Sequence, residues 1–304
     1  MGWNGRARIS LVTEDESVLV SGGDRSEWEG IKLNEDPDGM FDTEVELKTI
    51  DVAGMPGGFD GGEETPVRTL TLPFNCYDMG DGIEATISRL RRLLWRRTFE
   101  WHYETEYSGL RWLKCKRSKS IKVNPKRDWN IDNYALATVE AVALNPDYES
   151  EPHQVIATNP SAGENTVWVP AWNPTDRPAW PIWSIKPNGG ECQVSLPDFS
   201  FGNEQEIDQT GNWQPGDHAD RMITLEPTEQ FVSVMAHPMM DPYVASDLSN
   251  FDGQMGAVEP LYWIPEYTAS EDDPVMLPVI IDGPAGAQVK LRLRRFWSAE
   301  MGGE

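Results

Sequence analysis

Residues 81–119 read DGIEATISRLRRLLWRRTFEWHYETEYSGLRWLKCKRSK, and this stretch decides the fold. It opens with the one long helical pattern in 304 residues. Ile83, Ile87, Leu90 and Leu94 recur at helical spacing as an apolar stripe, with Arg89, Arg92 and Arg96 standing off it. Asp81 and Glu84 have the spacing of a capping box, which predicts the helix start. The period then switches to two. Phe99, Trp101 and Tyr103 alternate with Glu100, His102 and Glu104, the signature of a half-buried strand. Ser108-Gly109 predicts a turn. Leu113 and Cys115 then alternate with Trp112, Lys114 and Lys116 on a returning strand. The reading is one helix packed on a sheet, followed by a hairpin of that sheet.

Outward from this stretch the chain reads as strands and loops. Residues 8–12 and 17–20 predict two short strands around Glu14-Asp15-Glu16, and 34–40 an acidic loop. Residues 44–52 alternate, with Val45, Leu47 and Ile50 expected inward. Residues 54–65 hold five Gly, one Pro and three acids, and predict a flexible loop. Further strands are expected at 67–72 and at 134–144, the latter with Leu136, Val139 and Val142. Asn145-Pro146 and Glu151-Pro152 bracket a polar, acidic stretch that predicts a linker, hence domains at 1–150 and 151–304. After it, strands are expected at 154–157, 166–171, 222–225, 231–234, 261–264 and 276–281. The clearest places Val289, Leu291 and Leu293 inward and Lys290, Arg292 and Arg294 outward. This half predicts an antiparallel sandwich without a long helix.

The net charge of −24 argues against binding duplex nucleic acid through its phosphates and against anionic membrane surfaces. Positive charge is concentrated. Between residues 89 and 127 thirteen Lys and Arg face three acids, a local balance of +10. That segment is a candidate assembly surface docking on an acidic face of a neighbouring subunit, with Arg89, Arg92, Arg96, Arg111, Lys114, Lys116 and Arg117 as its candidate contacts. The alternative is a solvated face of the helix and hairpin. No apolar run is long enough to cross a bilayer, and the first ten residues have no apolar core of a leader. Cys76, Cys115 and Cys192 are odd in number and far apart, so a reducing site of synthesis and no disulfide framework are expected.

Catalytic motifs are missing: no Gly-x-Ser-x-Gly, His-Glu-x-x-His, Walker A or Gly-x-Gly-x-x-Gly. His102, His153, His218 and His237 are scattered. Asp217-His218-x-Asp220 reads as a turn sooner than a metal site, and Glu271-Asp272-Asp273 as a solvated loop. No catalytic residue, cofactor or metal is therefore expected. Thirteen Trp are many for this length, seven of them after residue 152: Trp168, Trp172, Trp180, Trp183, Trp213, Trp263 and Trp297. They are core or interface residues, or platforms that stack on sugar rings.

The order of these features resembles the distal tail proteins of long-tailed, non-contractile bacteriophages. Three segments carry the likeness: the hairpin turn Tyr107-Ser108-Gly109-Leu110-Arg111; the segment Arg177-Pro178-Ala179-Trp180-Pro181-Ile182-Trp183-Ser184-Ile185; and an ending in which Asp220-Arg221-Met222-Ile223-Thr224-Leu225 is followed by Gly286-Ala287-Gln288-Val289 and Arg294-Arg295-Phe296-Trp297. The resemblance implies a mainly β fold: a tail-tube-like β-sandwich with one α-helix, then a galectin-like antiparallel β-sandwich. It implies a structural virion protein without an active site, six copies of which close a ring at the distal end of the tail. The implied partners are the chain itself, the major tail tube protein, the tail-tip hub protein, the tape-measure protein and receptor-binding proteins. DNA passes through such a ring without specific binding, and no part enters a membrane. Synthesis would be in the host cytoplasm. A carbohydrate-binding module that attaches to host surface glycans is the competing class. A glycosidase would need two carboxylates about 5 to 10 Å apart, and nothing in the sequence singles out such a pair.

Overall fold

The structure, a computed structural model, describes residues 7–51, 54, 56–125, 128–208 and 210–303, with 129 and 130 described by their backbone alone. Val52, Met55, Lys126 and Arg127, all within segments read above, lie outside the described residues, as do residues 1–6 of the expected leaderless N-terminus. The fold is mainly β and antiparallel. Its strands are β1 (Arg8–Val12), β2 (Ser17–Ser21), β3 (Ile31–Leu33), β4 (Glu46–Asp51), β5 (Gly58–Glu64), β6 (Arg68–Tyr77), β7 (Thr98–Thr105), β8 (Gly109–Arg117), β9 (Lys122–Asn124), β10 (Tyr134–Ala143), β11 (Tyr148–Thr158), β12 (Gly163–Ala171), β13 (Pro181–Lys186), β14 (Gln193–Pro197), β15 (Met222–Thr224), β16 (Val232–Met235), β17 (Tyr243–Ala245), β18 (Val275–Gly283) and β19 (Gln288–Trp297). Among the described residues the one helix longer than a turn is α1 (Ile83–Leu93). Two compact units divide the chain: Met1–Ser150 together with Trp297–Glu304, and Glu151–Phe296.

In the first unit β2, β1, β7 and β8 pair in that order, and β8 pairs with the end of β10 and with Glu149 and Ser150 of β11. Beyond β10 lie β6 and then β3. The stripe of α1 is buried as its spacing requires: Ile83, Ile87, Leu90 and Leu94 are at most 4% exposed. Its start differs from the expectation. Gly82 at φ +86 is the N-cap, with no side-chain cap, and Asp78 rather than Asp81 accepts from the N–H groups of Gly80 and Gly82, at 2.7 and 2.8 Å. A glycine at positive φ makes the sharp entry, and the carboxylate four residues before it takes the amides of the turn that leads in. The hairpin β7–β8 is as expected. Phe99, Trp101, Tyr103, Leu113 and Cys115 are buried, and Gly109 turns at φ +68. Trp101 packs edge-on against Phe74 of β6 at 6.4 Å.

Several expectations fail for identifiable reasons. Within 54–65, residues 58–64 are not a loop: β5 pairs with β4 in a two-stranded sheet of its own. Glycine allows many conformations but does not forbid an extended one. Val45, Leu47 and Ile50 are 54 to 60% exposed, not inward. On β10 the core face is Ala135, Ala137, Val139, Ala141 and Ala143, whereas Leu136 and Val142 fall on the other face. The small side chains leave room for α1. The stretch 145–152 is not a linker, because β11 begins at Tyr148. The Tyr148 hydroxyl, fully buried, donates to the carbonyl of Met40 at 2.5 Å. The C-terminus departs from the bounds 151–304: Trp297–Glu304 belongs to the first unit, where Trp297 Nε1 donates to Ser150 Oγ at 2.9 Å.

The second unit contains two sheets, β17-β16-β13-β19-β11 and β12-β18-β14-β15. Inward residues of both, among them Trp183, Val234, Leu291, Leu293, Val169 and Val279, form one apolar cluster. Residues 261–264 are not a strand. The Asp198 carboxylate accepts from the N–H groups of Leu261 and Tyr262 at 3.0 Å, and only Ile264 makes a bridge, to Ala179. The turn before β13 is organised by buried Asn173, which donates to the carbonyls of Arg177 and Pro265 and accepts from Thr175.

Candidate assembly surface

The basic segment is built by the C-terminal half of α1, the loop after it and the outer face of β7–β8. Its charges fall into three classes. The first is internal. Arg111 is fully buried, because position 111 shares the inward face of β8 with Leu113 and Cys115. Its guanidinium lies 3.7 Å from the Trp297 ring centre and donates to the carbonyls of Ala299 and Gly302 at 2.9 and 2.8 Å. It holds the C-terminal segment and is no surface contact, contrary to its candidacy. Buried Arg68 does the same from β6, donating to the carbonyls of Phe41 and Ser298.

The second class is committed within the unit. Arg89 is clamped by Glu16 at 2.7 Å and by Glu29. Burial alone would depress its pKa, but the hydrogen bonds of Glu29 and Glu16 outweigh this and raise it. Arg96 pairs with Glu14, and Lys114 with Glu149 at 2.7 Å. Lys119 and Lys122 both reach Glu140 and hold its carboxyl below the usual carboxylate range. The third class is available. Among the described residues no carboxylate pairs with Arg91, Arg92, Arg97, Lys116 or Arg117. Of the seven candidates, Arg92, Lys116 and Arg117 therefore remain as free surface cations.

Beside Lys116 lies a feature the sequence reading missed. A groove of about 580 Å³ is lined by Val12, Phe99, Val142 and Leu144, with Lys114 and Lys116 alongside. Glu14 and Glu100 also line it, engaged by Arg96 and His102 respectively. Leu144 is 74% exposed. The sequence signal was Val142-Ala143-Leu144, where apolar residues occupy both faces of the strand end. The second missed feature is the β4–β5 hairpin, all of whose strand residues are exposed.

The cysteines of the first unit, His153, His218 and Glu204 sit in structural surroundings. Burial pushes the Cys76 thiol up to about 11 and Cys115 to about 12, far from nucleophilic thiolates. His153 bonds the carbonyl of Pro170 at 2.9 Å and lies against Trp172. His218 contacts the Tyr262 hydroxyl at 2.5 Å. Glu204 is fully buried. Burial alone would raise its pKa, but the Ser200 hydroxyl and the N–H groups of His218 and Gly216 outweigh this and hold it at about 2. Among the described residues no three His, Cys, Asp or Glu cluster as metal ligands, and no helix is long and apolar enough to cross a membrane. Of the seven tryptophans after residue 152, Trp183 and Trp297 are buried and Trp168 is 57% exposed.

No family model matches the sequence, and no curated protein does. Solved structures do. The chain aligns with the Dit protein of phage SPP1, described as a paradigm of the hub adsorption apparatus in phages infecting Gram-positive bacteria. The TM-score is 0.58 at 10% identity, over 94% of this chain and 98% of that one. Two structures of the phage P2 baseplate in its activated conformation, with Ca and with Sr, align at TM-scores of 0.45 and 0.46 and identities of 9% and 8%, over 95% and 96% of this chain and 98% of theirs. What this chain shares with SPP1 Dit is a fold, spanning nearly the whole of both.

Proposed function

We propose that this chain is a structural protein of a phage virion, a ring-forming subunit at the distal end of a long, non-contractile tail. The observation that carries this reading is the end-to-end correspondence of fold with SPP1 Dit, over 94% of one chain and 98% of the other. The ring joins the tail tube to the tip hub and to the parts that recognise the host, with the tape-measure protein nearby. The first unit, residues 1–150 closed by 297–304, forms the ring. The net charge of −24 suits a ring through which DNA passes without being held. Surface cations around Arg92, Lys116 and Arg117 meet acidic groups of the next copy and offset the repulsion between like-charged subunits. No catalytic step is part of this role.

Mass in solution tests it. Six copies of the 34.2 kDa chain weigh about 205 kDa, and sedimentation or mass photometry should find a closed species of that size. A chain that stays monomeric at every concentration refutes the reading. One observation favours a second reading, glycan attachment by the second unit. Trp168 stands 57% exposed on β12, in register with Pro278. Retention on host-glycan columns that is lost in Trp168→Ala, from a monomeric chain, would favour it.

A further inference from the structure

Charge in the second unit is sorted by sheet. Residues 151–296 hold twenty-one Asp and Glu against seven Lys and Arg. Strands β13, β16, β17 and β19 nevertheless contain no acid, while β12, β14, β15 and β18 contain no Lys or Arg and carry Glu164 and Asp282. Val289, Leu291 and Leu293 of β19 and Trp183 and Ile185 of β13 are buried. The alternate residues therefore share the outer face: Lys290, Arg292 and Arg294 on one strand, Ile182, Ser184 and Lys186 on the other. In register, Ile182 lies opposite Arg292, Ser184 opposite Lys290 and Lys186 opposite Gln288. Alternate residues of an antiparallel strand are about 6.8 Å apart. Lys290, Arg292 and Arg294 thus form a line about 14 Å long, and Lys186 extends it by one step at the Lys290 end.

Among the described residues no carboxylate pairs with Lys186, Lys290 or Arg292. Like charges so close repel, and one interspersed acid would relieve them. The exclusion of acids from four strands of an acidic unit leaves that relief to an anionic partner. A straight line of cations fits a chain whose charge repeats along its length, and Lys and Arg both bind phosphate. Ser184 and, on β16, Ser233 add hydroxyl donors to the same face. The rings nearby are spent: Phe296 lies under Arg294 at 4.7 Å, and Trp180 packs against Trp263 and His237 at 5.0 and 5.3 Å. A nucleic acid would ask for rings on which its bases stack. We propose that the outer face of β13 and β19 binds a linear phosphodiester polymer without bases, of the kind a cell surface exposes, with successive phosphates along Lys186, Lys290, Arg292 and Arg294. The acids elsewhere on the chain do not forbid this, since charges beyond about 8 Å are screened at physiological salt. The site is independent of the ring reading. It also differs from sugar stacking at Trp168, which stands on β12 in the other sheet.

The test titrates the full chain with fluorescently labelled poly(glycerol phosphate) and reads anisotropy. Binding should weaken with salt at a log–log slope of about −2 to −3, as three or four phosphate contacts require. Lys186→Glu and Arg292→Glu should each weaken it by about tenfold or more, and the two combined should remove it. Both side chains are exposed, so circular dichroism and the thermal midpoint should match the wild type. Arg25→Glu, exposed in the first unit, makes the same change in net charge and should leave binding as it was. Several outcomes would overturn the site. The wild type fails to bind at low salt; the two variants bind as the wild type does, so that the polymer lies elsewhere; or Arg25→Glu weakens binding as much as Arg292→Glu, so that only net charge matters. Oligothymidylate or poly-L-glutamate bound as tightly at equal charge would replace the polymer by a nucleic acid or an acidic peptide. Loss of binding in Trp168→Ala would move it to the other sheet. Mass measured on the same samples keeps the ring separate: binding by a chain that stays monomeric supports the site and refutes only the ring.

Discussion

The first unit contains two antiparallel hairpins whose sequences look alike and whose surroundings do not. In β7–β8, Phe99, Trp101 and Tyr103 are at most 6% exposed, with β1 on one side and β6 beneath Trp101. In β4–β5, Leu47, Ile50 and Phe59 are about 60% exposed, and among the described residues no third strand pairs with the two. Alternation with period two reports that a segment is extended and two-faced. It does not report what lies against the apolar face. That depends on strands far away in sequence, here β1 and β6 for the inner hairpin.

Substitutions should separate the two hairpins, and the largest effect belongs to the inner one. Trp101→Ala removes a fully buried ring from the core and should cost about 3–5 kcal/mol in chemical denaturation of the full chain. A loss below about 1 kcal/mol would mean that β7–β8 is no more packed than β4–β5. Next comes Arg111→Met, which keeps bulk but leaves the carbonyls of Ala299 and Gly302 without their donor. About 2–3 kcal/mol should be lost, and amide exchange should quicken in β8 and the last residues of the unit. Stability like that of the wild type would show that the guanidinium is dispensable there.

A smaller effect sharpens the contrast through pH. The side-chain hydrogen bond from Lys48, and then its charge, hold the Glu64 carboxyl below its ordinary 4.5. A carboxylate depressed in the folded state stabilises above its unfolded pKa and loses that contribution as pH falls through the folded value. Below about pH 4.5 the β4–β5 amides should therefore exchange faster, after correction for intrinsic rates, than at pH 7, while those of Trp101 and Leu113 hold. Equal loosening of both hairpins would contradict the assignment. Smallest of all, Phe59→Ala should change stability by no more than about 0.5 kcal/mol in the monomer, as exposed substitutions do. A larger loss would show that the outer hairpin packs on its own chain.

The same contrast explains what was legible in the sequence. α1 and β7–β8 were readable because local periodicity and tertiary burial agree there, residue by residue. Arg111 was misplaced because a basic residue on a strand is ordinarily solvated, and its carbonyl partners lie at Ala299 and Gly302, nearly two hundred positions away. The N-cap is Gly82 and not Asp81, because a glycine at positive φ permits an entry no side-chain spacing announces. Residues 261–264 resembled a strand in composition, but the buried carboxylate of Asp198 took the amides a ladder would have used. Of the candidate surface, the basic concentration was visible at once. Which cations are spent internally was not, since Glu14, Glu16, Glu29, Glu140 and Glu149 come from distant strands and loops.

The return of Trp297–Glu304 to the first unit has a consequence for how the protein is made. Ribosomes deliver the chain from its N-terminus, and Arg68 and Arg111 emerge long before the carbonyls of Ser298, Ala299 and Gly302 that they hold. At roughly 5–20 residues per second, the intervening 151–296 take roughly 7–30 s to synthesise. Throughout that interval Arg111 waits without the carbonyls of Ala299 and Gly302, and Arg68 without that of Ser298, while by its end the second unit has all of its own residues and is free to fold. The domain that begins the chain is thus the last to be completed, and a nascent protein stalled short of residue 297 would carry a finished second half and an unsealed first.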